Sequence, residues 1–534
     1  MKFLRAFRDF AENTAAQLEK GRYFYLICFS IVFLGFTALR ALNKPFWSDE
    51  LYTYYISRLP GMDTIWSALK DGADLNPPLL YVATRASLRA FGDGPVATRL
   101  PEILGFLTML LCVYRLVAVR CGSTYGFTAL LLAAVSGAYA YAYEARSYGM
   151  VLGFGALSFV CWQSAAEGRV RWITLPGLTL SLSAALASHC YAALLVIPLG
   201  LGELVRSLRK KHVDWAVWTA LLIASSMVLV YLPLLASNRN FAFDNVTFRP
   251  TLRVLAESYS ILLHPLLWPV IAALVVIVVA RQPQAAKERN LAGPAGFLPH
   301  EITAAAGFLL IPVFAFLMGK FISHVFMTRY GLAAIIGFTV LFVAFLHRYA
   351  DDRRLTSAIL PVLFAVWFVA GFFVWMAGAT RGNTAAAATG SPQHVYELPP
   401  EAVEPGLPFV ASNGLFFLEA DHYAPSSFRS RLVYLTDRKA AIRYTGSDVF
   451  ELGLPTFKKW FPIQAHIEDY ATFVREHRRF LVFGGFDHPL GWVIKKLLDD
   501  GARLRFLGQY HGAYGENLLL EVDLPTVEPA LPPK

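Results

Sequence analysis

From Met1 to about Thr380 the chain is dense with apolar runs of roughly 16 to 24 residues, and from about Pro392 to Lys534 it has none. A helix needs about 20 mostly apolar residues to cross roughly 30 Å of hydrocarbon, where no water is present to satisfy an open sheet edge. The first part therefore reads as a bundle of membrane helices and the second as a soluble domain. Composition agrees: of 534 residues, 56% are hydrophobic and 16% charged, against about 25% charged in an ordinary soluble domain. The expected organisation is a membrane body at 1–380, a polar Ala/Gly-rich linker at 381–394 and a soluble domain at 395–534.

Eleven spans are expected, at about 23–42, 99–119, 125–141, 149–166, 172–188, 190–205, 215–236, 261–280, 302–319, 330–347 and 355–378. With this assignment the basic clusters fall on one side. They are Lys2, Arg5, Arg8, Lys20 and Arg22; Arg120; Arg169 and Arg171; Arg206, Arg209, Lys210 and Lys211; Arg281, Lys287 and Arg289; and Arg348, Arg353 and Arg354. Short cytoplasmic loops collect Lys and Arg, so the N-terminus is placed in the cytoplasm and the C-terminal domain outside. The first run lacks a small-residue cleavage site and reads as a retained span rather than a signal peptide. Asn76–Phe91 is apolar enough to suggest another span, yet it carries Arg85 and Arg89. Each would cost about 2.5–3.5 kcal/mol at the bilayer centre on insertion scales. An amphipathic helix lying in the interface fits better, which leaves a long structured outer loop over about residues 43–98.

The net charge of +10 is accounted for by these loops. No compact basic and aromatic patch appears outside them, so nucleic acid is not an expected partner. The five cysteines, Cys28, Cys112, Cys121, Cys161 and Cys190, all sit in or beside apolar runs. None has CxxC or Cys/His ligand spacing, which argues against a disulfide framework and a structural zinc site.

The polar groups at span ends then gather on the outer side. Asp49 and Glu50 follow the first span, and Glu144, Arg146 and Tyr148 follow the third. His189 lies between spans five and six, and Lys320, His324, Arg329 and Tyr330 precede span ten. Ionisable groups at membrane depth are costly and tend to mark function. Each also has a structural reading: Asp49 would cap the following helix, Glu50 would be solvated, Arg146 would snorkel to headgroups, His189 would sit satisfied between helices, and Arg329 would anchor a helix end. For lipid-linked chemistry the types are apt. A carboxylate can take the proton of a poorly nucleophilic hydroxyl, and an arginine can hold a departing phosphate through two hydrogen bonds.

The order of these elements resembles the GT-C glycosyltransferase superfamily. The first span ends in Asp-Glu; the outer loop carries Asn76-Pro77-Pro78-Leu79-Leu80-Tyr81; Arg99-Leu100-Pro101 opens the second span; Glu144-Ala145-Arg146-Ser147-Tyr148 follows the third; and Arg329-Tyr330 lies in a later loop. More narrowly it is similar to protein O-mannosyltransferases, aminoarabinose transferases and the bacterial RgtA/B/C/D-like proteins. The resemblance implies a GT-C-like membrane fold and an inverting sugar transfer from a polyprenyl-phosphate donor. It implies a bacterial cytoplasmic (inner) membrane setting, with membrane lipids as neighbours. Asp49 would be the base with Glu50 beside it, and Arg146, Arg329 and Tyr330 would contact the donor phosphate. Glu144, Tyr148, His189, Lys320 and His324 are further candidates for substrate binding. Some relatives use a divalent metal held partly by an aspartate in the second outer loop; this chain has Glu144 there, so no metal or other cofactor is expected. The acceptor remains open between a glycan, a lipid and a protein.

In the C-terminal domain, strands are expected at Phe409–Ser412, Arg431–Leu435, Phe480–Phe483, Arg503–Leu507 and Asn517–Val522, and helices at Ile467–Arg478 and Leu490–Asp500. This alternation predicts a small α/β domain with a mostly parallel sheet. Two other classes stand beside the enzyme: a transporter or flippase of a lipid-linked substrate, and a membrane-anchored binding protein acting through its external domain. No internal repeat and no mid-span charge cluster favours transport.

Overall fold

The computed structural model describes residues 13–237, 241–279, 296–349, 353–389, 406–512 and 515–525. Lys2, Arg5, Arg8, Arg281, Lys287 and Arg289 lie outside these residues, as do 390–394 of the expected linker. Two compact units emerge. One comprises residues up to Lys44, Asn76–Leu232 and Pro250–Gly382; the other comprises Pro45–Leu75, Pro233–Arg249 and the chain from Asn383.

The first unit is helical. Its helices are α1 (Arg22–Asn43); then, past α2 (Ser48–Ser57) and α3 (Met62–Lys70) of the other unit, α4 (Leu79–Phe91), α5 (Pro95–Cys121), α6 (Ser123–Ala134), α7 (Tyr148–Ala166), α8 (Arg171–Ser188), α9 (Val196–Lys210), α10 (Trp215–Val230), α11 (Leu252–Leu263), α12 (Leu267–Val279), α13 (Pro299–Leu309), α14 (Ile311–Met318), α15 (Ala334–Tyr349) and α16 (Arg353–Thr389). Six helical stretches among the described residues are long and apolar enough to cross a bilayer, or eight if two bent pairs each count as one span. The bends are between α6 and the 3-10 turn Gly137–Tyr143, at 72°, and between α13 and the segment Ile311–Ser323, at 50°. Each of the eleven expected spans has a helical counterpart, and the chain is a multi-pass membrane protein. Helix α4 has 13 residues, so at 1.5 Å per residue it reaches only about 20 Å. It buries Leu80, Tyr81, Thr84, Ser87 and Leu88 along one face and packs on α5 and α8. The linker expected from residue 381 continues α16 as helix to Thr389, because its Ala run favours helix over coil.

Helices α5 and α7 touch through glycine. A Cβ on Gly105 would come within 2.6 Å of the Gly149 backbone, and one on Gly153 would strike the Gly105 carbonyl. Small residues let membrane helices approach until their backbones meet. Both helices begin at the same end of the unit. At the far end Arg120 grips the fully buried Glu301 through three hydrogen bonds, from Nε to Oε1 at 3.1 Å and Oε2 at 2.9 Å and from Nη2 to Oε1 at 2.6 Å. Arg206 bonds both Glu203 (Nη2–Oε1, 2.7 Å) and Asp214, and Asp214 also takes Arg171. Basic residues that sequence reading assigned to topology thus also tie helix ends together.

The second unit is built on a six-stranded sheet of β1 (Phe409–Ala411), β2 (Leu432–Thr436), β3 (His466–Asp469), β4 (Arg479–Gly484), β5 (Arg503–Gly512) and β6 (Gly515–Asp523), in the order β3-β2-β1-β4-β6-β5. The first four are mutually parallel, while β6 and β5 run antiparallel at the other edge. The five expected strands are present. The sheet is mixed because β5 and β6 form a hairpin, which needs no crossover. Strand β3 lies where the start of a helix was expected; the helix begins only at Tyr470, capped by Asp469. Helices α17 (Gly414–Tyr423), α18 (Arg438–Thr445), α19 (Val449–Trp460), α20 (Tyr470–Glu476) and α21 (Val493–Asp499) belong to the same unit, with α2, α3 and the short turn of helix Ser426–Arg429.

Candidate active site

The exit of the chain from α1 is held by a buried arginine. Arg99, fully buried, donates from Nη1 to the carbonyls of Ala41 (2.5 Å) and Lys44 (2.7 Å). These are the groups a helix C-terminus leaves without partners, so the arginine of Arg99-Leu100-Pro101 clamps the end of the first span. Beside it, Lys44 Nζ pairs with Glu144 Oε1 at 2.6 Å.

One turn along α5, Glu102 is also fully buried. Its Oε2 accepts the Met150 N–H at 3.0 Å, and the Gly149 N–H bonds the same carboxylate. The glycine crossing brings it there. Glu102 thereby caps α7 from a neighbouring helix, where negative charge also suits the helix dipole. The Arg146 guanidinium lies within electrostatic reach of this carboxylate. Arg146, itself buried, therefore occupies a turn fixed at one end by Lys44–Glu144 and at the other by Glu102. Sequence reading missed Glu102; the signal was a lone carboxylate inside an apolar helix.

Tyr148, His189, and the adjacent Arg329 and Tyr330, from three distant stretches, line one pocket with Tyr191, Leu152 and Ile311, with a volume of about 380 Å³ that includes open solvent at its mouth. The Arg329 guanidinium lies 5.9 Å from the Tyr148 ring centre, a cation–π distance. The His189 ring is 5.6 Å from Tyr148 and 5.3 Å from Tyr330, and Tyr330 stacks on Tyr191 at 4.1 Å. His189 Nδ1 accepts the Tyr191 backbone N–H at 3.1 Å, which leaves the proton of the neutral ring on Nε2. The turn bearing Arg329 and Tyr330 is drawn against α14 because a Cβ on Gly331 would stand 2.9 Å from Pro312. Tyr141 packs on Tyr148 at 5.4 Å and lies within electrostatic reach of both Glu144 and Arg329.

Lys320 and His324 are not brought into this pocket; both are exposed, on the π-turn Gly319–Ser323 and just after it. Asp49 and Glu50 belong to the second unit and differ in burial. Glu50 is fully buried and its Oε2 faces the Trp47 N–H at 3.4 Å, whereas Asp49 is half-buried. The structural reading that gave capping to Asp49 and solvent to Glu50 is therefore reversed for Glu50. Among the described residues no group of three or more His, Cys, Asp or Glu side chains gathers as a metal site.

Residues 75–233 match the family model described as dolichyl-phosphate-mannose-protein mannosyltransferase. That range holds Arg99, Glu102, Glu144, Arg146 and Tyr148. No curated protein matches the sequence. Among solved structures, the fold is similar to that of ArnT from Cupriavidus metallidurans bound to undecaprenyl phosphate. The TM-score is 0.50 at 13% identity, covering 94% of this chain and 98% of that one. The apo state of the same protein gives 0.50 at 12% identity over the same shares. Arabinosyltransferase EmbB from Mycobacterium smegmatis matches at a TM-score of 0.36 and 16% identity, over 60% of this chain and 30% of that one, a likeness that carries no argument. The fold is of the GT-C type that the motifs implied, and the second to seventh expected spans carry the pattern of the mannosyltransferase family model. Among folds of that type it is similar to the fold of ArnT.

Proposed function

We propose that this protein transfers a sugar from a polyprenyl-phosphate carrier to a hydroxyl acceptor, with inversion, at the non-cytosolic rim of the inner membrane. In this reading the acceptor oxygen attacks the anomeric carbon, and the bond from that carbon to the carrier phosphate breaks on the opposite face. The acceptor proton passes to Asp49, and the carrier leaves as its monophosphate. Arg146 and Arg329, with Tyr330, hold the phosphate as its charge develops, and Glu102 keeps the Arg146 turn in place. Tyr148 and His189 would line the sugar or phosphate subsite.

The observation that carries the proposal is the convergence of Arg329, Tyr330, Tyr148 and His189 on one pocket at span ends. Arg146 stands two residues from Tyr148 on the same turn. The family match and the undecaprenyl phosphate carried by the ArnT structure support a lipid-linked donor.

The test is sugar transfer in membranes containing Asp49→Asn protein at wild-type expression. Removing the base is expected to lower the rate about 10²–10⁴-fold. Transfer at the wild-type rate would remove Asp49 from the mechanism. Donor and acceptor would be named together by mass spectrometry of envelope glycans and glycolipids from a deletion strain, where one hexose, pentose or aminosugar should be missing.

A further inference from the structure

The segment that carries Asp49 packs in the same compact unit as the C-terminal sheet, and its contacts there are specific. Helix α17 follows β1 and is capped by Asn413, whose Oδ1 accepts the Phe416 N–H at 2.9 Å. Three of its side chains, Glu419, His422 and Tyr423, are spaced i, i+3 and i+4, so they share one face. All three bond the segment Phe46–Tyr55. Glu419 Oε1 accepts the backbone N–H of Ser48, the first residue of α2, at 2.7 Å, and both residues are fully buried. The Tyr423 hydroxyl accepts the Phe46 N–H at 2.6 Å and donates to the Phe46 carbonyl at 3.2 Å. The Tyr55 hydroxyl meets His422 Nδ1 at 2.7 Å. Burial lowers the His422 pKa to about 4, so near neutral pH the ring is uncharged and shares a single proton-mediated hydrogen bond with the tyrosine hydroxyl. Further along, Tyr52 packs on Phe457 and Tyr55 stacks on Phe461, at 4.8 and 5.2 Å.

A ten-residue helix is too short to be stable in isolation. The start of α2 is instead held by two carboxylates, Glu50 on its own first turn and Glu419 from outside. Asp49 lies between Ser48 and Glu50, so whatever fixes those two backbone positions fixes the direction of its side chain.

We infer that the C-terminal domain is a positioning element of the active site: Glu419, with Tyr423 beside it, orders the first turn of α2 and thereby aims Asp49. This rests on Asp49 being the base. A base misplaced by about 1 Å can lose about 10²-fold in rate, while binding of the carrier phosphate, assigned to arginines of the other unit, should be spared.

The experiment compares full-length wild type, Glu419→Ala, Glu419→Gln, Tyr423→Phe and Asp49→Asn in lipid nanodiscs. Three quantities are read: sugar transfer, affinity for undecaprenyl phosphate as probe, and amide exchange of the peptide covering residues 46–58. Glu419→Ala is expected to exchange about tenfold faster in that peptide and to transfer about 10–100-fold more slowly, with probe affinity within about twofold of wild type. Glu419→Gln retains an oxygen that can accept the Ser48 N–H and should recover most of the rate. Tyr423→Phe should give the same pattern more weakly, and it serves if Glu419→Ala does not fold. Wild-type transfer and exchange in Glu419→Ala, parallel loss of rate and probe affinity, or a Gln variant as slow as the Ala variant would each overturn the inference. Loss of transfer in Asp49→Asn alone would sink only the positioning role, whereas retention there would sink the assignment of the base.

Discussion

Arg329 illustrates what a single side chain can do at the end of a membrane helix. Its planar guanidinium lies over Tyr148 in a pocket shared with His189 and Tyr330, and it presents a fork that matches two phosphate oxygens at once. A lysine there would keep the charge but lose both the fork and the stacking. Arg329→Lys is expected to weaken undecaprenyl phosphate binding about tenfold in a direct binding assay; affinity equal to wild type would mean the phosphate sits elsewhere. At this scale the sequence was partly legible. Arg146, Tyr148, His189, Arg329 and Tyr330 were chosen as polar groups at span ends. Lys320 and His324 were chosen on the same ground, yet they face outward, because position along a span does not say which way a side chain points. Glu102 and Tyr191 were overlooked. Glu102 gains its meaning only from the start of α7, which is 46 residues away at Tyr148.

Among elements, the recurring device is a helix N-terminus capped by a carboxylate from another part of the chain. Glu19 accepts the N–H groups of Ser123 and Thr124 at the start of α6, Glu102 those at the start of α7, and Glu419 that of Ser48 at the start of α2. Such a cap stabilises a helix and also fixes its rotation and height against the neighbour that supplies the acid. In the sheet domain a different carboxylate is enclosed. Glu451 on α19 accepts from Tyr434 and Trp492, both at 2.8 Å, and burial raises its pKa to about 7. The ordinary value is about 4.5, so between these limits the folded domain holds a proton that the unfolded chain has released. Stability therefore falls as pH rises from about 4.5 to 7 and is level above that, by up to roughly 3 kcal/mol for this group. A glutamine mimics the protonated acid. Glu451→Gln should unfold at a higher temperature than wild type at pH 8 and at nearly the same temperature at pH 5. Equal shifts at both pH values would show that the carboxyl is not buried as described.

For the whole molecule, the division into two units cuts across the chain order. Pro45–Leu75 and Pro233–Arg249, which sequence reading left with the membrane body, pack with the C-terminal sheet. Asn245 bonds the carbonyls of Thr445 and Pro489, each at 2.6 Å, and Lys459 pairs with Asp71 at 2.5 Å. A protein ending near residue 390 would thus lose the packing partners of the Asp49 segment while keeping every expected span. We expect such a truncation to reach the membrane at normal levels, by immunoblot of the membrane fraction, and to show no detectable sugar transfer. Wild-type transfer by the truncated protein would show that α2 orders without the sheet.

Apolar run length, helical periodicity and strand alternation are local properties, because the hydrocarbon thickness and the backbone hydrogen-bond demand act on each segment separately. They sufficed for the apolar helices and for all five expected strands. Which residues face one another depends on contacts made far apart in the chain. Close approach through Gly105, Gly149 and Gly153 set Glu102 against α7, and the face of α17 set Glu419 against α2. Only the packed structure decided those, since they arise from backbones and side chains meeting in space.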